Sequence, residues 1–176
     1  MKKIIALTLS LMMILCATGV LAEETAEKSE IGTLKVGQAF KLQSRLPEGY
    51  TFMPITKNEL NLIGVLSAGE DRPSVTVSIA YNEEYADVER FNDVDESLVE
   101  EIRQSFRDED DNVQFEDLES AHGTRLLKAV NDVFVDIYTI YKGYELEFVM
   151  TGKSMTDADT QMLVDYISDL DFVPVE

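Results

Sequence analysis

Residues 133–151 read VFVDIYTIYKGYELEFVMT, two apolar-rich runs joined by Lys142-Gly143. A lysine–glycine pair between β-rich runs predicts a two-residue hairpin turn, since glycine enters the left-handed backbone region such a turn requires. The turn sets a register: Tyr141 faces Tyr144, Thr139 faces Leu146, Ile137 faces Phe148 and Val135 faces Met150. Those pairs share one side of the ribbon, while Asp136, Tyr138, Glu145 and Glu147 take the other. A slip of one residue would exchange the two sets, so the pattern resists it. Upstream, residues 123–130 supply a third strand through Asn131-Asp132, which predicts a three-stranded meander with Arg125 on the polar side.

Two helices flank the meander. Leu98, Val99, Ile102 and Phe106 form one stripe over residues 94–107, with Glu96, Glu100, Glu101 and Arg103 facing away. Asp93 followed by Glu96 resembles a capping box, and Arg103 and Arg107 sit where the negative end of the helix dipole favours them. The second helix spans residues 157–169, capped by Thr156, with Met162, Leu163, Tyr166, Ile167 and Leu170 on one face. A helix with a single apolar stripe covers a sheet. Closer to the N-terminus, Phe40 and Leu42 alternate with polar neighbours, Pro47 and Gly49 mark a turn before a strand over 51–55, and residues 60–67 and 74–81 read as an antiparallel pair. The class expected is α+β, an antiparallel sheet with packed helices.

The chain has 176 residues. Residues 1–22 have the order of a secretory signal: Lys2 and Lys3, an apolar run from Ile4 to Leu15, then small residues up to Ala22. That run is too short to cross a bilayer of about 30 Å, so no integral membrane segment is expected in the mature chain. Cys16 raises the alternative of a lipid-modified N-terminus, but Leu15 stands before it where a lipoprotein signal places a small residue. Residues 23–35 read as a flexible acidic spacer and residues 36–176 as one domain, large enough to bury roughly 70% of its unfolded surface without staples. With Cys16 lost in the leader, the mature chain has no thiol, and with it no disulfide, thiolate ligand or cysteine nucleophile.

The element order, with Leu46-Pro47-Glu48-Gly49-Tyr50 closing an early strand and Tyr141-Lys142-Gly143-Tyr144-Glu145-Leu146 at the hairpin, resembles the PsbP-like fold over residues 36–174. That family includes extrinsic photosystem II subunits, a Ran-binding nuclear import factor and many bacterial secreted proteins. The resemblance implies an α/β/α sandwich. It carries no functional residue onto this sequence, and one fold hosts many activities.

Charge narrows the partners. Thirty-four acids against 15 basic residues give a net charge of −19, which becomes −21 once Lys2 and Lys3 leave with the leader. Nucleic acids, whose binding is driven by basic contacts to phosphate, are excluded. The densest acid cluster, Asp108 to Asn112, places oxygen-bearing side chains at calcium-loop positions one, three, five and twelve as Asp108, Asp110, Asn112 and Glu119. Val113 stands where that loop needs glycine, and 114–118 reads as a strand, which favours a solvated loop; calcium is the one cofactor left as a candidate. Gly152-Lys153-Ser154 lacks the earlier glycine of a phosphate loop, since that place is Glu147. His122, the sole histidine, has no partner motif for metal or serine chemistry. Arg125, Tyr138 and Glu147 form the most specific polar cluster on the sheet and are the candidate ligand-binding residues, their alternative role being a cross-strand network on an outer face. Glu145 and Glu147, about 7 Å apart on strand geometry, are spaced for acid–base work.

These features point to an exported noncatalytic binding or accessory module with a protein partner in the cell envelope. The alternatives are an extracytoplasmic carboxylate-dependent hydrolase or a weak calcium-binding module.

Overall fold

The computed structural model describes residues 29–33, 40–55, 62–152 and 155–174. Residues 1–22, read on sequence as a leader, Cys16 among them, residues 23–28 and 34–35 of the expected spacer, and Lys153 and Ser154 lie outside the described residues. In chain order the elements are β1 (Ser29–Thr33), β2 (Phe40–Ser44), β3 (Thr51–Pro54), β4 (Leu62–Ser67), β5 (Ser74–Tyr81), α1 (Glu96–Arg107), β6 (Gln114–Glu119), β7 (Arg125–Val130), β8 (Phe134–Tyr141), β9 (Tyr144–Thr151), α2 (Asp157–Ser168) and β10 (Asp171–Pro174). Seven strands make one antiparallel sheet in the order β3-β4-β5-β9-β8-β7-β6, and β1-β2-β10 make a second. The class is α+β. Among the described residues no helix is long and apolar enough to cross a membrane.

The β8–β9 hairpin holds the register its sequence dictates, with Tyr141 opposite Tyr144, Ile137 opposite Phe148 and Val135 opposite Met150. Lys142 and Gly143 both take positive φ, 52° and 78°, as a tight hairpin turn demands. Its other edge joins β5, where Val77 faces Phe148 and Ser78 faces Glu147. The β7–β8 turn lies one residue further on than Asn131-Asp132. Asn131 closes the ladder with Phe134, and its side-chain oxygen accepts from the N–H groups of Val133 and Phe134, leaving Asp132 and Val133 at the tip.

Two cores lie on opposite faces of the large sheet. Val135, Ile137, Phe148 and Met150 pack with Leu163, Tyr166 and Ile167 of α2 and with Phe40 and Leu42 of β2. Leu127, Ala129, Tyr138 and Ile140 point the other way and pack with Val99, Ile102 and Phe106 of α1. Strand alternation makes this division necessary: Ile137 and Tyr138 are consecutive and cannot share a face.

Three expectations change. Residues 29–33, assigned on sequence to the spacer, form β1 against β2, so ordered structure begins earlier than residue 36. Helix α1 starts at Glu96, not at Val94: Asp95 is its cap and accepts from Leu98 N–H, while Asp93 closes a short 3-10 turn over Phe91–Asp93. The polar side of the meander is not an outer face. Asp136 and Tyr138 are each 3% exposed and Glu147 is 9% exposed, and on this face Tyr138 packs with Val99, Ile102 and Phe106 of α1 and with Tyr85 and Phe91 ahead of it.

Candidate functional site

A cluster of acids and phenols, all buried except the half-buried Glu145, lies on the sheet face that packs with α1 and the segment before it. β8 contributes Asp136 and Tyr138, β9 contributes Glu145 and Glu147, and β5 contributes Ser78. The register sets Tyr138 opposite Glu147 and Asp136 opposite Val149, so Asp136 and Glu147 are diagonal neighbours on one face. Ser78 Oγ donates to Glu147 Oε2 at 3.2 Å, and Tyr138 Oη donates to Glu145 Oε1 at 2.9 Å. Asp136 Oδ1 is buried with no hydrogen-bond partner.

Burial penalises the charged form of each group. Asp136 is raised well above the ordinary carboxylate range by desolvation, then by the Glu147 carboxyl, against a hydrogen bond from the Phe148 backbone. Glu147 is pushed up to about 7 by desolvation, with Glu145 and Glu109 adding to the rise and Ser78 opposing it. Glu145 is raised by desolvation, offset in part by hydrogen bonds with Tyr138 and Asn82. The phenols follow: desolvation and then Glu145 raise Tyr138 well above the usual tyrosine value and push Tyr85 up to about 12.

Of the three sequence-designated ligand residues, the structure brings Tyr138 and Glu147 together as register partners and commits Arg125 elsewhere. The Arg125 guanidinium grips Asp117 through Nε and Nη2, at 3.1 and 2.9 Å, reaches Glu96 at 2.8 Å, and lies over the Phe91 ring. A depression beside it is lined by Asn92, Asp117, Leu118, Glu119 and Arg125. Asn92 is occupied there, donating to Gly123 O and accepting from Arg125 N–H.

The four calcium-loop residues are not assembled around one point. Asp108 caps α1 and accepts from Gln104. Asp110 Oδ1 accepts from the backbone and side chain of Asn112, and its Oδ2 accepts from Asn131. Glu119 stands at the far end of β6, roughly 17 Å beyond Gln114 at strand rise. Among the described residues, no group of three or more histidine, cysteine, aspartate or glutamate side chains is placed to hold a metal ion. His122 Nε2 lies 3.1 Å from Asp171 Oδ1, tying the β6–β7 turn to β10.

Sequence reasoning passed over Asp136 and Ser78. The signal available was that β8 is apolar on both sides, with Phe134 and Ile140 sharing the face of Asp136, which marks a strand buried on both faces.

No protein-family model matches the chain, and neither a curated protein nor a solved structure matches it significantly.

Proposed function

We propose that the protein is an exported, noncatalytic binding module that meets a basic protein partner of the cell envelope on the layer formed by α1 and its flanking segments. One observation carries this reading. Residues 83–119 hold 16 acids and three arginines, a net −13 of the chain's −19, and 15 of those acids are exposed. The layer's cations are largely engaged within the molecule: Arg103 with Asp117 and Glu100, Arg107 with Glu100, Arg125 with Asp117 and Glu96, and Lys128 with Glu116. The field over this side is negative, which steers a basic surface in and keeps nucleic acid away.

Export is read from the leader. The PsbP-like α/β/α sandwich is supported by helices on opposite sheet faces and by the Leu46–Tyr50 turn. A hydrolase would need substrate at Glu147, which is buried. Calcium capture would have to rest on Asp108, Asp110 and Asn112 without Glu119.

The test is affinity capture from envelope extract with two baits, the native chain and an E101Q/D108N/D111N variant. The reading expects a protein held by the native bait, released by raised ionic strength and not held by the variant. Equal capture by both baits, or retention indifferent to salt, overturns it.

A further inference from the structure

Asp136 and Glu147 occupy an environment that cannot accommodate two negative charges. They are diagonal neighbours on adjacent strands, both inside the α1 core. Asp136 stands opposite Ala129, and the apolar cluster on this sheet face joins Ala129 and Ile140 to Ile102 and Phe106 of α1 and to Phe91 ahead of it. The charged neighbours acting on the pair are acids: Glu145 from β9 and Glu109 from the loop after α1. From β5 the pair meets the neutral Ser78, and from β8 the phenol of Tyr138. Tyr85 lies beyond Tyr138 and is itself influenced by Glu84 and by Glu101 of α1. Among the described residues, no cation is among the groups that act on the pair, and the arginines of this layer pair with other acids, Arg103 and Arg107 with Glu100, Arg103 and Arg125 with Asp117, and Arg125 with Glu96. Two carboxylates without a compensating cation cost several kcal/mol in such a place, so the low-energy arrangement keeps a proton between them. The orphaned Asp136 Oδ1, buried beside Glu147, is the oxygen left to share it.

We propose that Asp136 and Glu147 form a proton-binding site that acts as a latch for α1, holding the helix on the sheet while the pair is protonated and freeing it when both carboxyls ionise. The proton passes from the pair to solvent as hydroxide or buffer base takes it up, and no other bond changes. Water must then reach the two charges from the side where α1 and the segment before it, with Tyr85 and Phe91, pack on the sheet, and Glu109 just beyond α1 is the covering-layer acid that acts on Glu147, so α1 is the element we expect to give way. α2 packs on the opposite sheet face and feels the event only through the stability of the whole domain. The value near 7 for Glu147 places the transition within reach of an extracytoplasmic space whose acidity changes. This inference does not depend on the partner reading, because its readouts involve no partner.

The experiment is hydrogen–deuterium exchange of the native chain at about pH 5 and about pH 8.5, corrected for intrinsic exchange rates, with α2 as the internal reference. α1 amides are expected to lose about tenfold or more of their protection at the higher pH beyond the loss that the falling global stability imposes on α2 amides. The same comparison on E147Q and on D136N should flatten the α1 response. Parallel loss in both helices, or an undiminished α1 response in a folded E147Q chain, overturns the proposal. Because a buried substitution also changes packing, infrared spectroscopy of the native chain supplies a second reading. A buried protonated carboxyl should be visible at about pH 6 and vanish as α1 loosens, and its absence at that pH overturns the proposal too.

Discussion

Glu147 faces Tyr138 across the β8–β9 ladder, yet the Tyr138 hydroxyl donates to Glu145, two residues along the same strand, and leaves Glu147 to Ser78. The strongest donor in the cluster therefore serves the more solvated acid. Glu147 keeps one hydroxyl and a carboxyl neighbour, and its proton affinity rises accordingly.

Stability should fall as pH rises through the weakly acidic range. Glu147 has a folded value near 7 against an ordinary 4.5, and Asp136 is raised as well. Between those two values the unfolded chain releases a proton that the folded chain retains, so unfolding gains with each step in pH. The contribution is fully present below 4.5 and gone above about 7. For Glu147 alone the change is about 3 kcal/mol. Urea denaturation at about pH 5 and about pH 8 checks this, with the larger unfolding free energy expected at the lower pH.

Glu147→Gln removes the charge and keeps an acceptor for Ser78. It should leave stability near pH 5 within about 1 kcal/mol of the native chain and raise it at about pH 8 by about 1–3 kcal/mol. Chemical denaturation of both chains at the two pH values reads the difference. A variant destabilised equally at both would show that the carboxylate is better solvated than its place under α1 implies.

The fold was legible where local chemistry and burial agreed. Lys142-Gly143 fixes the hairpin, and Thr156 with Asp159 fixes the start of α2, since each is a short-range constraint written in adjacent residues. β1 and β10 were not legible: Ser29–Thr33 carries Glu30 and Gly32, and Asp171–Pro174 is four residues ending in proline, so neither has a two-residue alternation to read. On sequence alone Asp136, Tyr138 and Glu147 form an outer polar face, because polar side chains gathered on one side of a strand usually meet water. Only the apolar residues beside them, Ile140 and Phe134, register the helix that covers that face.

Thr156→Ala tests the cap of α2. Thr156 Oγ1 accepts from Asp159 N–H at 3.2 Å, and the Asp159 carboxylate accepts from Thr156 N–H at 3.0 Å. Losing the hydroxyl leaves a first-turn N–H without its partner, at a cost of about 1 kcal/mol. Leu163, Tyr166 and Ile167 stay packed, so the expected result is a lower midpoint with an unchanged denaturant slope. A changed slope would mean that the cap holds more than the end of one helix.

Gly143→Ala should be costlier than Gly69→Ala, although both glycines have positive φ, 78° and 98°. At Gly69 an added Cβ meets nothing within 4 Å, so only the left-handed backbone is penalised, by about 1–2 kcal/mol. At Gly143 the same Cβ would lie 2.9 Å from Tyr81 Cε2 and 3.3 Å from Tyr85 O. The hairpin tip cannot simply retreat, because Lys142 N–H donates to Glu89 O and Gly143 N–H donates to Val88 O, each at 3.0 Å, fastening it to the segment that leads into α1. Relief must come from turning Tyr81, which packs edge-on against Tyr144, or from breaking those two bonds. Thermal unfolding of the two variants separates the contributions: a larger drop for Gly143→Ala measures the crowding alone, and equal drops would place the tip further from Tyr81 than this packing allows.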